Sequence, residues 1–195
     1  MKQVSKQEVL DNIDFYISEM TAGKIFIYPT DTLFGIGCDA TNAAAVEKIF
    51  NIKQRQANKS LLFIVPSLQW IADNCTLNLS AKKEMLTKLP WPYSFIVKLK
   101  NSAALASNVS SHGDTVWMRI PSGWFNKMVA YFGKPFISTS VNISGQAAAI
   151  KISDIDEQVL QQVDYVVSSD DDVLSWKSSQ LIDVTWEHPV ELQRW

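Results

Sequence analysis

Apolar residues return at helical spacing at Val9, Leu10, Ile13, Tyr16, Ile17 and Met20, which predicts a helix of about 17 residues between Ser5 and Gly23. Ser5-Lys6-Gln7-Glu8 has the capping-box spacing and Gly23 is a suitable stop. The run Lys24-Ile25-Phe26-Ile27-Tyr28 predicts a strand that Pro29 ends, and Thr30-Asp31-Thr32 follows as a polar turn. From Thr41 or Asn42, an alanine-rich periodicity through Val46, Ile49 and Phe50 predicts a second helix. Strands are expected at 61–65, 93–99, 115–120, 135–139, 165–167 and 181–184. Between them, Ser67 caps a short helix, Ser80 starts one that ends before Pro90, Trp124 to Phe132 form one that Gly133 stops, and another starts at Ser153. Strands and helices interleave throughout, so the expected class is α/β, or α+β-like, with one mixed sheet.

Composition narrows this picture. With 195 residues, 47% hydrophobic and 19% charged, the chain suits one domain with a sizeable core. No internal repeat, low-complexity tract or linker breaks it, and the acidic cluster Asp170 to Asp172 reads as a solvated loop. A formal charge of −2 gives no overall basic field towards nucleic acid or anionic membrane. MKQVSKQEVL lacks an apolar signal region, and no apolar run approaches the roughly 20 residues that span a bilayer, so a cytoplasmic protein is expected. Cys38 and Cys75 read as small core residues, and His112 and His188 do not make a metal-ligand pattern.

Spacing brings in candidate chemistry. Residues two apart point in nearly opposite directions on a helix but to the same side of an extended chain. Lys53 and Arg55 can therefore address one anion only if the second helix has ended by residue 52. The same spacing relates Ser138, Ser140 and Asn142, where the 135–139 strand runs out, and Thr30 and Thr32, just past the 24–28 strand. Strand exits in open α/β sheets are where ligands sit, and cations with hydroxyl and amide donors suit a phosphate. Two plainer readings stand beside this one: a solvated helix end for Lys53 and Arg55, and a self-capping turn for Ser140 and Asn142. Neither standard glycine-rich phosphate loop is present, because Gly35-Ile36-Gly37 lacks the later glycine and no Gly-Lys-Ser/Thr occurs.

The segments YPTDTLFGIGCDA (28–40), IKQR (52–55), MRIP (118–121) and GKPFISTSVNISGQ (133–146) resemble, in order and separation, the YrdC/TsaC family of threonylcarbamoyl-adenylate synthases. The resemblance implies a single YrdC-like domain, with a twisted mixed sheet flanked by helices around a large, positively lined concave cavity. It also implies a nucleotidyltransferase that joins L-threonine, bicarbonate and ATP into threonylcarbamoyl-AMP and pyrophosphate, towards N6-threonylcarbamoyladenosine at position 37 of tRNA. By analogy Lys53 and Arg55 neutralise the triphosphate, and Ser140 and Asn142 hydrogen-bond the phosphate and nucleotide side, with Ser138 on the same strand exit. Thr32 lies in the threonine-binding turn and Arg119 lines the cavity, where a carboxylate or phosphate would suit its fork. Ser179 and Arg194 carry over as nucleotide contacts. Magnesium is implied as a companion of ATP, not as an ion in a protein cage. Further implied partners are tRNA and the machinery that transfers the threonylcarbamoyl group, with no membrane. Two other readings of the same motifs are an RNA-binding paralogue without synthase activity and a carbamoyl-transfer relative.

The chain departs from the family pattern at several places. Pro90-Trp91-Pro92 replaces Pro-Gly-Pro, Ser94 stands where threonine is common, Gln56 replaces a proline, Gln180 replaces a threonine, and the final glycine is missing. Trp117 replaces a small residue two before Arg119. If its face lines the cavity, the indole narrows it or stacks on a base; if it faces the core, the change is one of packing. The seven tryptophans of the chain favour the core reading.

Overall fold

In the computed structural model, which describes residues 1–56, 59–89, 93–169 and 179–192, the strands divide between two mixed sheets where one was expected. In chain order the elements are β1 (Lys2–Ser5), α1 (Lys6–Asp11), α2 (Ile13–Thr21), β2 (Phe26–Pro29), β3 (Phe34–Gly37), α3 (Ala43–Ile52), β4 (Leu62–Ile64), α4 (Leu68–Asn74), β5 (Cys75–Thr76) and α5 (Leu79–Lys88). There follow β6 (Tyr93–Leu99), β7 (Thr115–Arg119), α6 (Trp124–Phe132), β8 (Phe136–Ile137), β9 (Thr139–Ser140), α7 (Glu157–Leu160), β10 (Tyr165–Ser168), β11 (Gln180–Asp183) and β12 (Val190–Leu192). The five-stranded sheet has the order β1-β10-β2-β3-β9 and the seven-stranded sheet the order β12-β11-β6-β7-β4-β8, with β5 on β6. Trp91, Arg194 and the 170–172 acidic cluster lie outside the described residues.

The segment 135–141 joins the sheets. Its first part pairs with β4 in the seven-stranded sheet, Phe63 opposite Ile137, and Ser138 N–H still donates to Leu62 O at 2.9 Å. Its other edge runs against residues 34–40: Ile137 N–H donates to Cys38 O at 2.8 Å, Thr139 lies opposite Ile36, and Val141 N–H donates to Phe34 O at 3.0 Å. The two chains approach so closely at Gly37 that a Cβ there would sit 1.8 Å from the Ile137 carbonyl oxygen. Only glycine fits, because backbone oxygen cannot yield as a flexible side chain would.

Period-two alternation explains the layers. Phe26, Tyr28, Phe136, Tyr165 and Val167 face an aromatic cluster under α1, α2 and α6, whereas Ile25, Ile27, Ile137 and Val166 face the main core, shared with α3. On the seven-stranded sheet Phe95, Val97, Val116, Met118 and Ile182 also face that core, which leaves Ile96, Trp117 and Leu181 on the opposite face. Cys38 and Cys75 are buried free thiols.

Several boundaries differ from the sequence expectations. The first helix is broken at Asn12, whose amide and Nδ2 both donate to Glu8 O. Ser5 Oγ accepts from Glu8 N–H, but the Glu8 carboxylate accepts from Lys2 and Tyr16 and not from the Ser5 backbone, so half of the capping box forms. Asn78, not Ser80, caps α5, and Asp156 caps α7 after a 3-10 turn at Ile152–Asp154 where a helix was expected to start at Ser153. Strands β1, β3, β5, β9 and β12 were not anticipated. Four are two to four residues long with few apolar positions, and β3 is Phe-Gly-Ile-Gly, a composition that argues against a strand until its partner is known.

Replacing Gly37 by alanine should lower the unfolding free energy by about 3 kcal/mol, the upper range for overpacking against an unyielding neighbour. Urea denaturation would measure it, and a loss under about 0.5 kcal/mol would show that the sheets do not meet this closely.

Candidate active site

Helix α3 is capped by Asn42, whose side chain accepts from Ala45 N–H, and it ends at Ile52. Gln54 then turns left-handed, with φ of 48°, while its N–H donates to Asn51 O and Arg55 N–H donates to Phe50 O. This Schellman-type ending closes the helix before Lys53, the condition that the spacing argument set. The two cations nevertheless part. Lys53 is 2% exposed, and its ammonium lies beneath the 140–142 loop. It donates to the Ser140 carbonyl, to the Asn142 carbonyl at 2.9 Å and weakly to Asn142 Oδ1 at 3.4 Å. Arg55 is half-buried and faces the cavity, with Nη2 donating to Ser60 O at 2.8 Å. The expectation that both cations present themselves to one anion is therefore corrected for Lys53: its donors are occupied by the loop backbone.

Asn142 is a loop builder as well. Its Oδ1 accepts from Ser140 Oγ at 2.6 Å, and its Nδ2 donates to Ile143 O and Gln146 O. Ser144 N–H donates to Lys53 O at 2.8 Å, so the loop and the helix end hold each other.

The β2–β3 hairpin carries Thr30-Asp31-Thr32. Thr30 Oγ1 accepts from the N–H groups of Thr32 and Leu33, which fixes the turn from within. Arg119, at the end of β7, places Nη2 at 2.7 Å from both Asp31 carboxylate oxygens, while its Nη1 lies 3.5 Å from Thr32 Oγ1. Burial raises the Asp31 carboxyl from its ordinary value, and the Arg119 charge with the Ser122 N–H draws it back. The carboxylate that would suit the Arg119 fork is thus one of the chain's own.

These segments surround a cavity of about 860 Å³, a size common for small-molecule sites. Thr32, Arg55, Arg119, Ser138, Ser140, Asn142 and Ser179 all line it, whereas Lys53 does not. Ser179 is buried and shares a hydrogen bond of 2.6 Å with Ser94. Among the described lining residues, Arg55 and Arg119 carry the charge, and Asp31 balances the second, so the positive character rests on Arg55 with Lys53 behind it.

The cavity has two unlike walls. The β2–β3 turn, the 138–146 loop and Arg55 give hydroxyl, amide and guanidinium donors. The seven-stranded sheet gives Leu62, Trp117, Leu181 and Leu192. Trp117, half-buried, faces the cavity and not the core, which corrects the packing reading. Gln146, Leu181 and Leu192 were not singled out from sequence. The leucines alternate with residues of the opposite face, yet alternation alone does not tell which face is wet.

Fold and site together define an α/β protein with a large two-walled cavity. Residues 18–194 match the Sua5/YciO/YrdC family, described as "Telomere recombination", and the chain belongs to that family. A Vibrio vulnificus protein named threonylcarbamoyl-AMP synthase is 29% identical over 161 residues, which cover 82% of this chain and 87% of the relative. The solution structure of a Methanobacterium thermoautotrophicum protein is 31% identical, with a TM-score of 0.73, over 100% of this chain and 89% of that one. The crystal structure of P. abyssi Sua5 complexed with L-threonine has a TM-score of 0.77 at 23% identity and shares the fold. It matches 93% of this chain, which spans 53% of that longer protein. Among the described residues no helix is long and apolar enough to cross a membrane.

Burial first, and Arg55 second, push the Lys53 ammonium down from 10.5 to about 7. Between those values the unfolded chain holds a proton that the folded chain does not. Stability should therefore rise with pH from about 7 to 10.5, this group adding at most about 1.4 kcal/mol per pH unit, with no contribution to the slope below pH 7. Urea unfolding at pH 7.5 and 9.5 should show a steeper rise for the wild type than for Lys53→Met, and equal slopes would refute the assignment.

Proposed function

We propose that this chain is an L-threonylcarbamoyladenylate synthase, a nucleotidyltransferase that makes threonylcarbamoyl-AMP and pyrophosphate from L-threonine, bicarbonate or CO2, and ATP. One observation carries the reading: Thr32, Arg55, Arg119, Ser138, Ser140 and Ser179, scattered from residue 32 to residue 179, line one cavity. Relatives named for that activity support it.

In this reading the threonine amine attacks CO2, forming an N–C bond and releasing a proton to solvent. A carbamate oxygen then attacks the α-phosphorus of ATP, and the bond to the bridging oxygen breaks, so that pyrophosphate leaves. Such a transfer asks for positioning and charge neutralisation more than for a covalent partner. Arg55 and Ser140 offer charge and donors to phosphate oxygens. Thr32, steadied by Thr30 and beside Arg119 Nη1, offers the polar turn to the amino acid. Lys53 contributes by holding the 140–142 loop in place. The donor-rich lining suits phosphates that bring their own counter-ion; a magnesium ion bound to the triphosphate would neutralise its oxygens. The product would serve the N6-threonylcarbamoyladenosine modification of tRNA in the cytoplasm, with transfer by partner proteins.

Purified protein given ATP, magnesium, bicarbonate and L-threonine should release pyrophosphate, and omission of threonine should abolish that release. Threonine-independent release, or none, would sink the proposal. Arg55→Ala should lower turnover at least about a hundredfold with the melting temperature nearly unchanged, since the arginine is half-buried at the cavity edge. Lys53→Ala should lower both activity and melting temperature, because it strips the donor from two loop carbonyls.

A further inference from the structure

The apolar wall is more than a boundary. In the seven-stranded sheet Trp117 stands opposite Leu62 of β4 on one side and Ile96 of β6 on the other, two residues before Arg119 on the same face. Its ring takes part in none of the aromatic contacts among the described residues, which involve Phe15, Tyr16, Phe26, Tyr28, Phe63, Trp70, Trp124, Phe125, Phe132, Phe136 and Tyr165. Its indole N–H has no protein acceptor among those residues, and the side chain is half-buried at the cavity surface. A large aromatic with neither an aromatic partner nor a hydrogen bond among the described residues therefore meets the cavity, with Leu62 of β4 and Ile96 of β6 as its cross-strand neighbours. Arg55 approaches from the Ser60 end of β4, the strand next to Trp117. A ligand spanning these groups needs a flat, weakly polar body for the indole and an anionic tail for Arg55 and Ser140.

We propose that Trp117 is the platform on which the purine base of the nucleotide stacks, which directs the phosphates towards Arg55 at the Ser60 end of β4 and Ser140 of the 138–146 loop. This rests on the nucleotide substrate of the proposed function and names the group that orients it. Base stacking on an aromatic side chain is sequence-tolerant and substantial, and desolvation against the apolar sheet face strengthens it. The indole replaces a small residue of the related pattern, so the platform would belong to this chain and not to the motif at large. In the same position a bulky ring also sets the width of the cavity, and the two effects are separable by experiment.

Binding of ATP and of inorganic tripolyphosphate would be measured by titration calorimetry on the wild type, Trp117→Phe and Trp117→Ala. Trp117→Ala should weaken ATP at least about tenfold and leave tripolyphosphate within about twofold, while Trp117→Phe should keep ATP within about threefold. Equal weakening of both ligands, with the fold checked by circular dichroism, would make Trp117 a structural residue and overturn the proposal. Unchanged or tighter ATP binding in Trp117→Ala would make the ring a bystander or an obstruction, with the same consequence. A wild type that binds no ATP would overturn this inference and the proposed function together. ATP binding with the expected losses but without threonine-dependent pyrophosphate release would leave the platform standing and remove the synthase assignment alone.

Discussion

The backbone of residues 135–141 belongs to both sheets, and the cavity depends on that sharing. Pairing with β4 on one edge and with residues 34–40 on the other brings two mixed sheets together. Where the segment leaves β4, it delivers Ser138, Ser140 and Asn142 to the space between the walls. The contact tolerates no side chain at Gly37, since the Ile137 carbonyl occupies the place of a Cβ. A backbone-to-backbone approach of this kind sets the separation of the walls more firmly than side-chain packing would, because neither partner has rotamers to adjust.

Around that join, two buried cations brace the rim. Lys53 holds the 140–142 loop from beneath through carbonyl oxygens, and Arg119 holds the β2–β3 turn through Asp31, with side-chain exposures of 7% and 8% in that pair. Burying either charge alone would be unfavourable; the loop oxygens around Lys53 and the Asp31 carboxylate on Arg119 offset part of that cost. The consequence for chemistry is a division of labour. Cations committed to the backbone or to a carboxylate hold the hydroxyl groups where a ligand would meet them, and Arg55 is left to meet the ligand directly. A rim held in place before binding has less ordering entropy to lose when the ligand arrives.

Much of this was legible along the chain. Ser5, Asn42 and Ser67 are N-caps where their sequence context placed or bracketed them, because a side-chain oxygen accepting from an N–H three residues on is a local interaction. The two-residue spacing of Ser138, Ser140 and Asn142 did converge on one cavity, since an extended backbone repeats its direction every second residue. The break at Asn12 and the strand at Phe34–Gly37 were not legible. The first turns on a non-helical backbone at Asn12, whose N–H and side-chain amide share the Glu8 carbonyl, and the second on pairing with β2 on one edge and, on the other, with β9 about a hundred residues away.

Sequence alone determined the α/β class, the condition that the second helix end by residue 52 if Lys53 and Arg55 are to point to one side, and the set of polar residues gathered at strand exits. These follow from periodicity, capping chemistry and the rigid geometry of an extended chain, all of which act over a few residues. Tertiary structure decided that Lys53 turns under a loop and Arg55 into the cavity, that Arg119 meets Asp31, and that Trp117 faces the cavity and not the core. Those outcomes depend on which surfaces the two sheets turn towards each other. A one-residue change of register would have exchanged the faces of β7, and nothing in its local sequence forbids that; the long-range pairings do.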